Sequence, residues 1–351
     1  MKRVTLVLCI LVLSISLLTF ATKGKNEIDF KMFWHLAFNN SGSMKIAILN
    51  YELAKMQYEK SKVVQETQMD QLLSKKQFLQ AEDSYNALVK AFFSQMMSLY
   101  NNLATGQDQI KNKESMVKIK KLNLNSKKKA LSIGNATQNE VDQAEIDLSN
   151  AESSLLSLKE NIEKWKREYL FNTSEISTPA TFLPISFKEL AIPDYSATLF
   201  SLYTSNDVQL EIKQIDSQIS HINAELAKTT SSTQDIDIAE KNAELADLTL
   251  KKYQFDEEET FISMYNSLRE AVDSLKNAER GLAIARSDFE DTKTKYAKGL
   301  ISESNYLAQL SALYTQELNL ETQRINTYTS YVNFKLSIGE GLEDILNEIL
   351  K

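Results

Sequence analysis

The tightest constraint on this chain is the stretch from 261 to 334, which has to fold back on itself. Phe261, Met264, Leu268, Ala271, Leu275, Ala278, Leu282, Ala285, Phe289, Thr292 and Tyr296 follow one another at alternating spacings of three and four, the seam of a helix that lies along another helix. The seam stops at Lys298-Gly299-Leu300-Ile301-Ser302. Glycine closes a helix cheaply in the left-handed conformation, and a serine three residues later can cap the next one. Only Leu300 and Ile301 are left to turn the chain, so the two arms run antiparallel, with an apolar pair exposed at the tip. An exposed apolar tip points to a contact surface.

The same device stands 165 residues earlier, where Gly134, Asn135, Ala136 and Thr137 occupy the places of Gly299, Leu300, Ile301 and Ser302. Thr137-Gln138-Asn139-Glu140 has the form of a capping box, which restarts a helix with its first amides satisfied. Val141, Ala144, Leu148, Ala151, Leu155, Leu158, Ile162, Trp165 and Tyr169 then alternate three and four. The chain reads as a tandem duplication of one hairpin-bearing unit.

Composition agrees. With 8 Gly and 3 Pro in 351 residues, 43% hydrophobic and 25% charged, few residues interrupt long helices. The predicted class is all-α: long antiparallel coiled-coil hairpins in two tandem repeats, with little or no β structure.

Met1-Lys2-Arg3 before the uncharged run 4–21 is a basic start followed by an apolar segment, and Thr19-Phe20-Ala21 offers a cleavage site. Residues 1–21 are therefore read as a signal peptide of an exported protein, with an uncleaved membrane anchor as the alternative. Cys9 lies inside that segment, so the mature chain has no cysteine for a disulfide, a thiolate nucleophile or a metal. Loss of Lys2 and Arg3 takes the net charge from −7 to −9, which argues against nucleic acid as a partner.

In order, residues 22–176 form the first helical repeat, with its tip near 133–137. A short helix over 28–40 ends in Asn39-Asn40. A second begins near Met44, and its Ile46, Ile48, Tyr51, Lys55 and Tyr58 match Leu210, Ile212, Ile215, Ile219 and Ile222 at an offset of 164. The helical pattern weakens over 61–72 and again over 228–235, where a break is expected. One long helix is predicted from about 75 to 131, on the order of 85 Å; its seam alternates Leu103, Ile110, Val117, Leu124 and Leu131 with Gly106, Lys113, Lys120 and Lys127. Residues 111–129 carry eight lysines against Glu114, read as a solvated face or as a basic band for an acidic partner. Residues 235–259 carry nine acids against three lysines. Pro179, Pro184 and Pro193 mark 177–195 as an irregular or edge-strand linker. The second repeat occupies 196–342, with its tip near 298–302, and an amphipathic tail runs over 343–351.

These pieces together resemble the TolC-like outer membrane efflux protein family: a short helix ending at Leu36-Ala37-Phe38-Asn39-Asn40, two tandem units with glycine at each tip and a hydroxyl residue three later, and a last helix ending at Leu336-Ser337-Ile338-Gly339. The resemblance implies a homotrimer whose twelve helices make a hollow tunnel in the periplasm. It also implies a passive duct for small molecules or peptides, joined to an inner-membrane pump through a periplasmic adaptor (membrane fusion) protein. Carried over by position, the adaptor-docking tips are Gly134, Ala136 and Thr137 with Gly299, Leu300, Ile301 and Ser302. The family often places acids six and nine residues after the tip glycine, where they narrow the tunnel; here those positions hold Glu140 and Gln143, then Asn305 and Ala308, so Glu140 and Asn305 are the candidate constriction. Each family unit ordinarily inserts a β-hairpin of a membrane barrel between its first two helices. Such strands need about 9 to 11 residues each, more than 61–72 or 228–235 can supply, so this chain is expected to lack its own barrel.

Two readings follow: a barrel-less duct at the periplasm and outer membrane, and a non-conducting periplasmic spacer or tether of the same ancestry. An enzyme is not expected and no cofactor is implied. His35 and His221 form no cluster, Asp256-Glu257-Glu258-Glu259 reads as a solvated helix stretch near a break, and there is no Gly-rich phosphate loop. Trp34 packs on the body or meets a membrane surface, Trp165 belongs to the seam, and Tyr306, Tyr314, Tyr328 and Tyr331 line a tunnel or fill a groove.

Overall fold

The protein is described from a computed structural model covering residues 27–64 and 67–351; the expected leader, 1–21, lies outside the described residues. Strand β1 (Glu27–Ile28) opens the first unit and leads into helices α1 (Phe30–Asn40), α2 (Gly42–Val63), α3 (Gln68–Ser132) and α4 (Gln138–Thr173). Strand β2 (Thr181–Phe182) sits in the linker. The second unit repeats the order as α5 (Ala197–Asn206), α6 (Val208–Thr230), α7 (Thr233–Ala297) and α8 (Glu303–Ser337), followed by α9 (Leu342–Ile349). Both α3 and α7 are 65 residues long, about 98 Å at ~1.5 Å per residue.

The two expected breaks are shorter than their compositions imply. The Thr67 hydroxyl accepts from the Asp70 amide at 3.2 Å while Asp70 accepts from the Thr67 amide at 3.3 Å, a capping box that starts α3 at Gln68 rather than near 75. Ser232 caps α7 with its hydroxyl, 3.3 Å from the Asp235 amide. The connections are thus 64–67 and Ser231-Ser232, far too short for a pair of membrane-crossing strands of about 9 to 11 residues each. Among the described residues the strands are β1 and β2, two residues apiece. No described helix is long and apolar enough to cross a membrane.

The body is a wall four helices wide on each side of a waist. Beyond the waist on the side away from the tips, α2 packs on α3, α3 on α6 and α6 on α7; on the tip side, α4 packs on α3, α3 on α8 and α8 on α7. Tyr58 of α2 stacks on Phe78 of α3 and Tyr51 lies tilted against it, and Lys76 reaches Asp216 of α6 at 2.5 Å. On the tip side a Cβ on Gly106 would lie 3.3 Å from Ile162, so glycine lets α3 and α4 approach closely. The seam lysines of α3 are accommodated by pairing: Lys120 with Asp147 at 2.7 Å and Lys127 with Glu140 at 2.6 Å. A seam half as apolar as that of α7 still holds because α4 supplies acids opposite those lysines.

The waist is the hydrophobic centre. Phe30, Phe33, Trp34 and Ala37 bury one face of α1 against Phe92, Phe93, Met96 and Tyr100 of α3 and Tyr169 of α4. Trp34 is therefore a packing residue, 3% exposed. The Tyr100 hydroxyl lies 2.7 Å from the carbonyls of both Ile28 and Leu183, tying the β1–β2 pair to α3. In the second unit Phe200 and Tyr203 of α5 pack on Phe261, and Phe261 on Phe334. The linker is held as an edge: β1 and β2 pair in parallel, and Phe187 bridges to Leu350. Tyr328 and Tyr331 are buried beneath linker and tail; Phe187 stacks on Tyr328, and Tyr331 donates to Glu348 at 2.6 Å. Those two tyrosines fill a groove.

The acidic run 256–259 is not near a break, because α7 passes through it uninterrupted. Glu257 instead accepts from the Tyr203 hydroxyl, and the neighbouring Asp207 caps α6 through the Leu210 amide at 3.1 Å. Burial there raises the pKa of Asp207 and lowers that of Lys90. His35 lies 3.6 Å from Glu343 and His221 3.0 Å from Asp247, each on its own surface.

Candidate functional site: the two hairpin tips

Both tips are built alike. Gly134 and Gly299 take φ of 73° and 70°, the left-handed region. Each closes its helix with two bonds: Gly134 N–H to Leu131 O at 3.0 Å and Asn135 N–H to Ala130 O at 2.8 Å, then Gly299 N–H to Tyr296 O and Leu300 N–H to Lys295 O, both 2.9 Å. The last carbonyls are thereby satisfied. The next helix starts at once, the Thr137 hydroxyl accepting from the Glu140 amide at 3.3 Å and Ser302 from the Asn305 amide at 3.2 Å. So Gly134, Thr137, Gly299 and Ser302 set the turn geometry, while Ala136, Leu300 and Ile301 are carried on it.

The surfaces of the two tips differ. Leu300 is 70% exposed and Ile301 half-buried, whereas the first tip presents Ile133, also 70% exposed. Ile133 escapes a reading by seams because it sits off the seam, one residue before the glycine; its counterpart in the second unit is Lys298. The second tip is clasped by rings, Tyr296 stacked on Tyr306 at 4.6 Å with Phe289 behind. The first is clasped by charge: Lys127 to Glu140 at 2.6 Å and Lys128 to Glu145 at 2.7 Å. Lys127, then the Thr137 amide, hold the Glu140 carboxyl down at about 2. Of the eight lysines in 111–129, Lys111, Lys118, Lys120, Lys127 and Lys128 have acidic partners within 2.8 Å, so most of this basic collar is neutralised at short range.

The two tips do not end at the same level. Asn112 of α3 meets Ser311 of α8 at 2.6 Å and Lys118 meets Glu303 at 2.6 Å, which places the start of α8 beside residue 120 of α3. The contacts of Gly106 with Ile162 and of Lys127 with Glu140 place the start of α4 beside residue 130. The first tip therefore projects about 15 Å farther, at ~1.5 Å per residue. Sequence spacing gives no sign of this, because α3 and α7 have the same length.

Solved structures share this architecture. The chain aligns over 89% of its length, and 96% of the other, with the outer membrane protein VceC of Vibrio cholerae at TM-score 0.52 and 11% identity. With the outer-membrane channel OprN it aligns over 90% of both chains at TM-score 0.57 and 12% identity. With the open state of the MtrE outer membrane channel of Neisseria gonorrhoeae it aligns over 89% of both at TM-score 0.51 and 13% identity. The fold is that of the TolC-like outer membrane efflux channels. Compared by sequence, no protein-family profile and no curated protein matches the chain. The likeness is one of fold, at identities of 11 to 13%.

Proposed function

We propose that this chain is the exit duct of a tripartite export system: a homotrimer in the periplasm, associated with the outer membrane, that conducts small molecules or peptides passively and performs no chemistry. A periplasmic adaptor protein grips it through Ile133, Gly134, Ala136, Thr137, Gly299, Leu300, Ile301 and Ser302, and links it to an inner-membrane pump. Glu140 and Asn305, equivalent residues one turn into α4 and α8, stand at the tunnel's narrow end. The observation that carries this reading is the duplicated tip, two rigid glycine turns each presenting one strongly exposed apolar side chain. A protein of purely structural use has no need to keep two such turns uncovered.

The short connections 64–67 and Ser231-Ser232 favour a second reading, the non-conducting spacer, because they supply no barrel strand. Negative-stain imaging of the purified chain, with its mass from light scattering, separates the two. A hollow rod of three copies supports the duct; a solid rod or a monomer at micromolar concentration rejects it and leaves the spacer.

A further inference from the structure

The duplication brings two equivalent joints to the waist, and the second lacks the apolar filling of the first. The first joint lies between α1 and α2 at Ser41; α1 meets α3 through Trp34 and Phe92, their ring centroids 5.8 Å apart, with Leu88 packed on the same core. In the second unit Asp207 takes the place of Ser41, between α5 and α6, and Tyr253 and Glu257 stand 165 residues on from Leu88 and Phe92. A cavity of about 240 Å³ lies among them, bounded by α3, the α5–α6 joint, α7 and the end of α8.

Two bonds cross this joint in opposite directions. Tyr253 of α7 donates its hydroxyl to the Asp207 carboxyl at 3.1 Å, and Asp207 also accepts from the Leu210 amide, the cap of α6. Tyr203 of α5 donates to Glu257 of α7, one turn beyond Tyr253. Burial pushes both phenols up, so they stay protonated. Asn206, beside Asp207, donates to the Ile338 carbonyl at 3.3 Å, which connects α6 and the far half of the body with α8 and the tip half. The remaining charges on the cavity come from α3 and α6. Glu82 and Asp83 of α3 face it, Asp83 accepting from the Gln209 side chain at 2.8 Å, and Glu211 of α6 pairs with Lys75 at 2.7 Å. Lys90 of α3 is the one basic side chain of the described lining, and α8 brings no charge to it. Burial lowers the Lys90 amine, with Asp83 opposing. Burial is also the largest influence on Asp207; with the Glu257 charge it outweighs the pull of the Leu210 amide and raises the carboxyl above its ordinary value of 3.8.

We propose that the second waist joint is a proton-operated clamp: with Asp207 and Glu257 both charged it is slack, and uptake of one proton by Asp207 tightens α5 and α6 on α7. The proton comes from solvent through the cavity and stays on the Asp207 carboxyl. It removes one of two like charges and turns that carboxyl into a donor for Glu257, while Tyr203 and Tyr253 go on donating. A carboxyl raised in the folded chain costs stability above its folded value, and the cost disappears as pH falls through that value toward 3.8. Mild acid therefore tightens the joint. The first joint, closed by Ser41, Trp34 and Phe92, has nothing equivalent to titrate. The clamp sets how firmly the far half and the tip half hold each other, and it does not depend on the duct reading.

The test compares the full chain with Asp207→Asn, which keeps the shape, caps a helix as well as aspartate and carries no charge at any pH. The variant should melt higher than the parent at neutral pH, and the difference should close as the pH is lowered toward 3.8. Hydrogen exchange over 203–215, corrected for the intrinsic rate, should slow in the parent between neutral pH and about pH 5 and show no such change in the variant. Carbon-13 titration of the Asp207 carboxyl supplies an independent reading, its midpoint lying above 3.8 in the parent and falling in Glu257→Gln. A variant that melts lower than the parent at neutral pH, a difference that is the same at every pH, or exchange that still responds in Asp207→Asn overturns the clamp.

Discussion

At the scale of single residues, three glycines share one backbone state for different reasons. Gly134 and Gly299 face open space, so a methyl group there meets no atom within 4 Å; an alanine costs only the left-handed conformation, about 1 kcal/mol. Gly339, with φ of 88°, ends α8 by the same pair of bonds, but a Cβ there would lie 2.5 Å from the Asn206 side chain, which caps the Ile338 carbonyl. Gly339→Ala should therefore cost about 2–4 kcal/mol by urea unfolding, against about 1 for Gly299→Ala. The Gly339→Ala/Asn206→Ala pair should lose less than the sum of its members, since the two sites touch. The sequence placed all three glycines at helix ends correctly. What it could not convey was that Asn206, 133 residues away from Gly339, forbids a side chain there. Ile133 was hidden for a related reason: its exposure follows from the turn, not from any repeat.

At the scale of elements, the same hairpin is closed in two ways, and only one of them depends on pH. The Glu140 carboxyl sits well below its ordinary value of 4.5, at about 2, because Lys127 and the Thr137 amide bond its charged form. Whatever this clasp contributes is complete above pH 4.5 and is lost as pH falls from there through about 2. A side-chain NMR titration should show the Lys127 and Glu140 signals moving together in that window, with the change abolished in Glu140→Gln. The second tip, held by Tyr296 on Tyr306, should keep its ring contacts throughout. Heptads made α3, α4, α7 and α8 legible, and the capping box at Thr137 was read directly. The box at Thr67 departs from the usual pattern, its third residue being Asp70 rather than glutamate or glutamine, so the weak periodicity of 61–72 reads as a longer break. Lysines on the α3 seam looked like a weakness until α4 placed Asp147 and Glu140 across from them.

At the scale of the whole molecule, exposed apolar side chains stand along the edge helices on both sides of the waist, Ile46, Leu49, Leu53 and Met56 on α2 and Ile146 and Leu156 on α4. Hydrogen exchange should register the difference between assembled and diluted protein. Assembly should slow exchange in the edge segment 42–63 and leave 30–40, already buried at the waist, nearly unchanged; equal change in the two segments would contradict assembly through the edges. The sequence carried the duplication and the scarcity of β structure among the described residues. It was silent on which helices form the margins, because heptad spacing shows that a helix has a neighbour and not on which side the row ends.

Equal rods laid out of step have a geometric consequence for anything that meets the ends of this body. Since α3 and α7 are both 65 residues long, a step of about 15 Å at the tips reappears in the opposite sense at the far end. Copies arranged side by side would turn that step into a crenellated rim, tall and short by turns, with the merlons of one end standing over the notches of the other. A partner seated on such a rim engages by interlocking teeth, which fixes its rotational position about the axis and makes its copy number answer to that of the body.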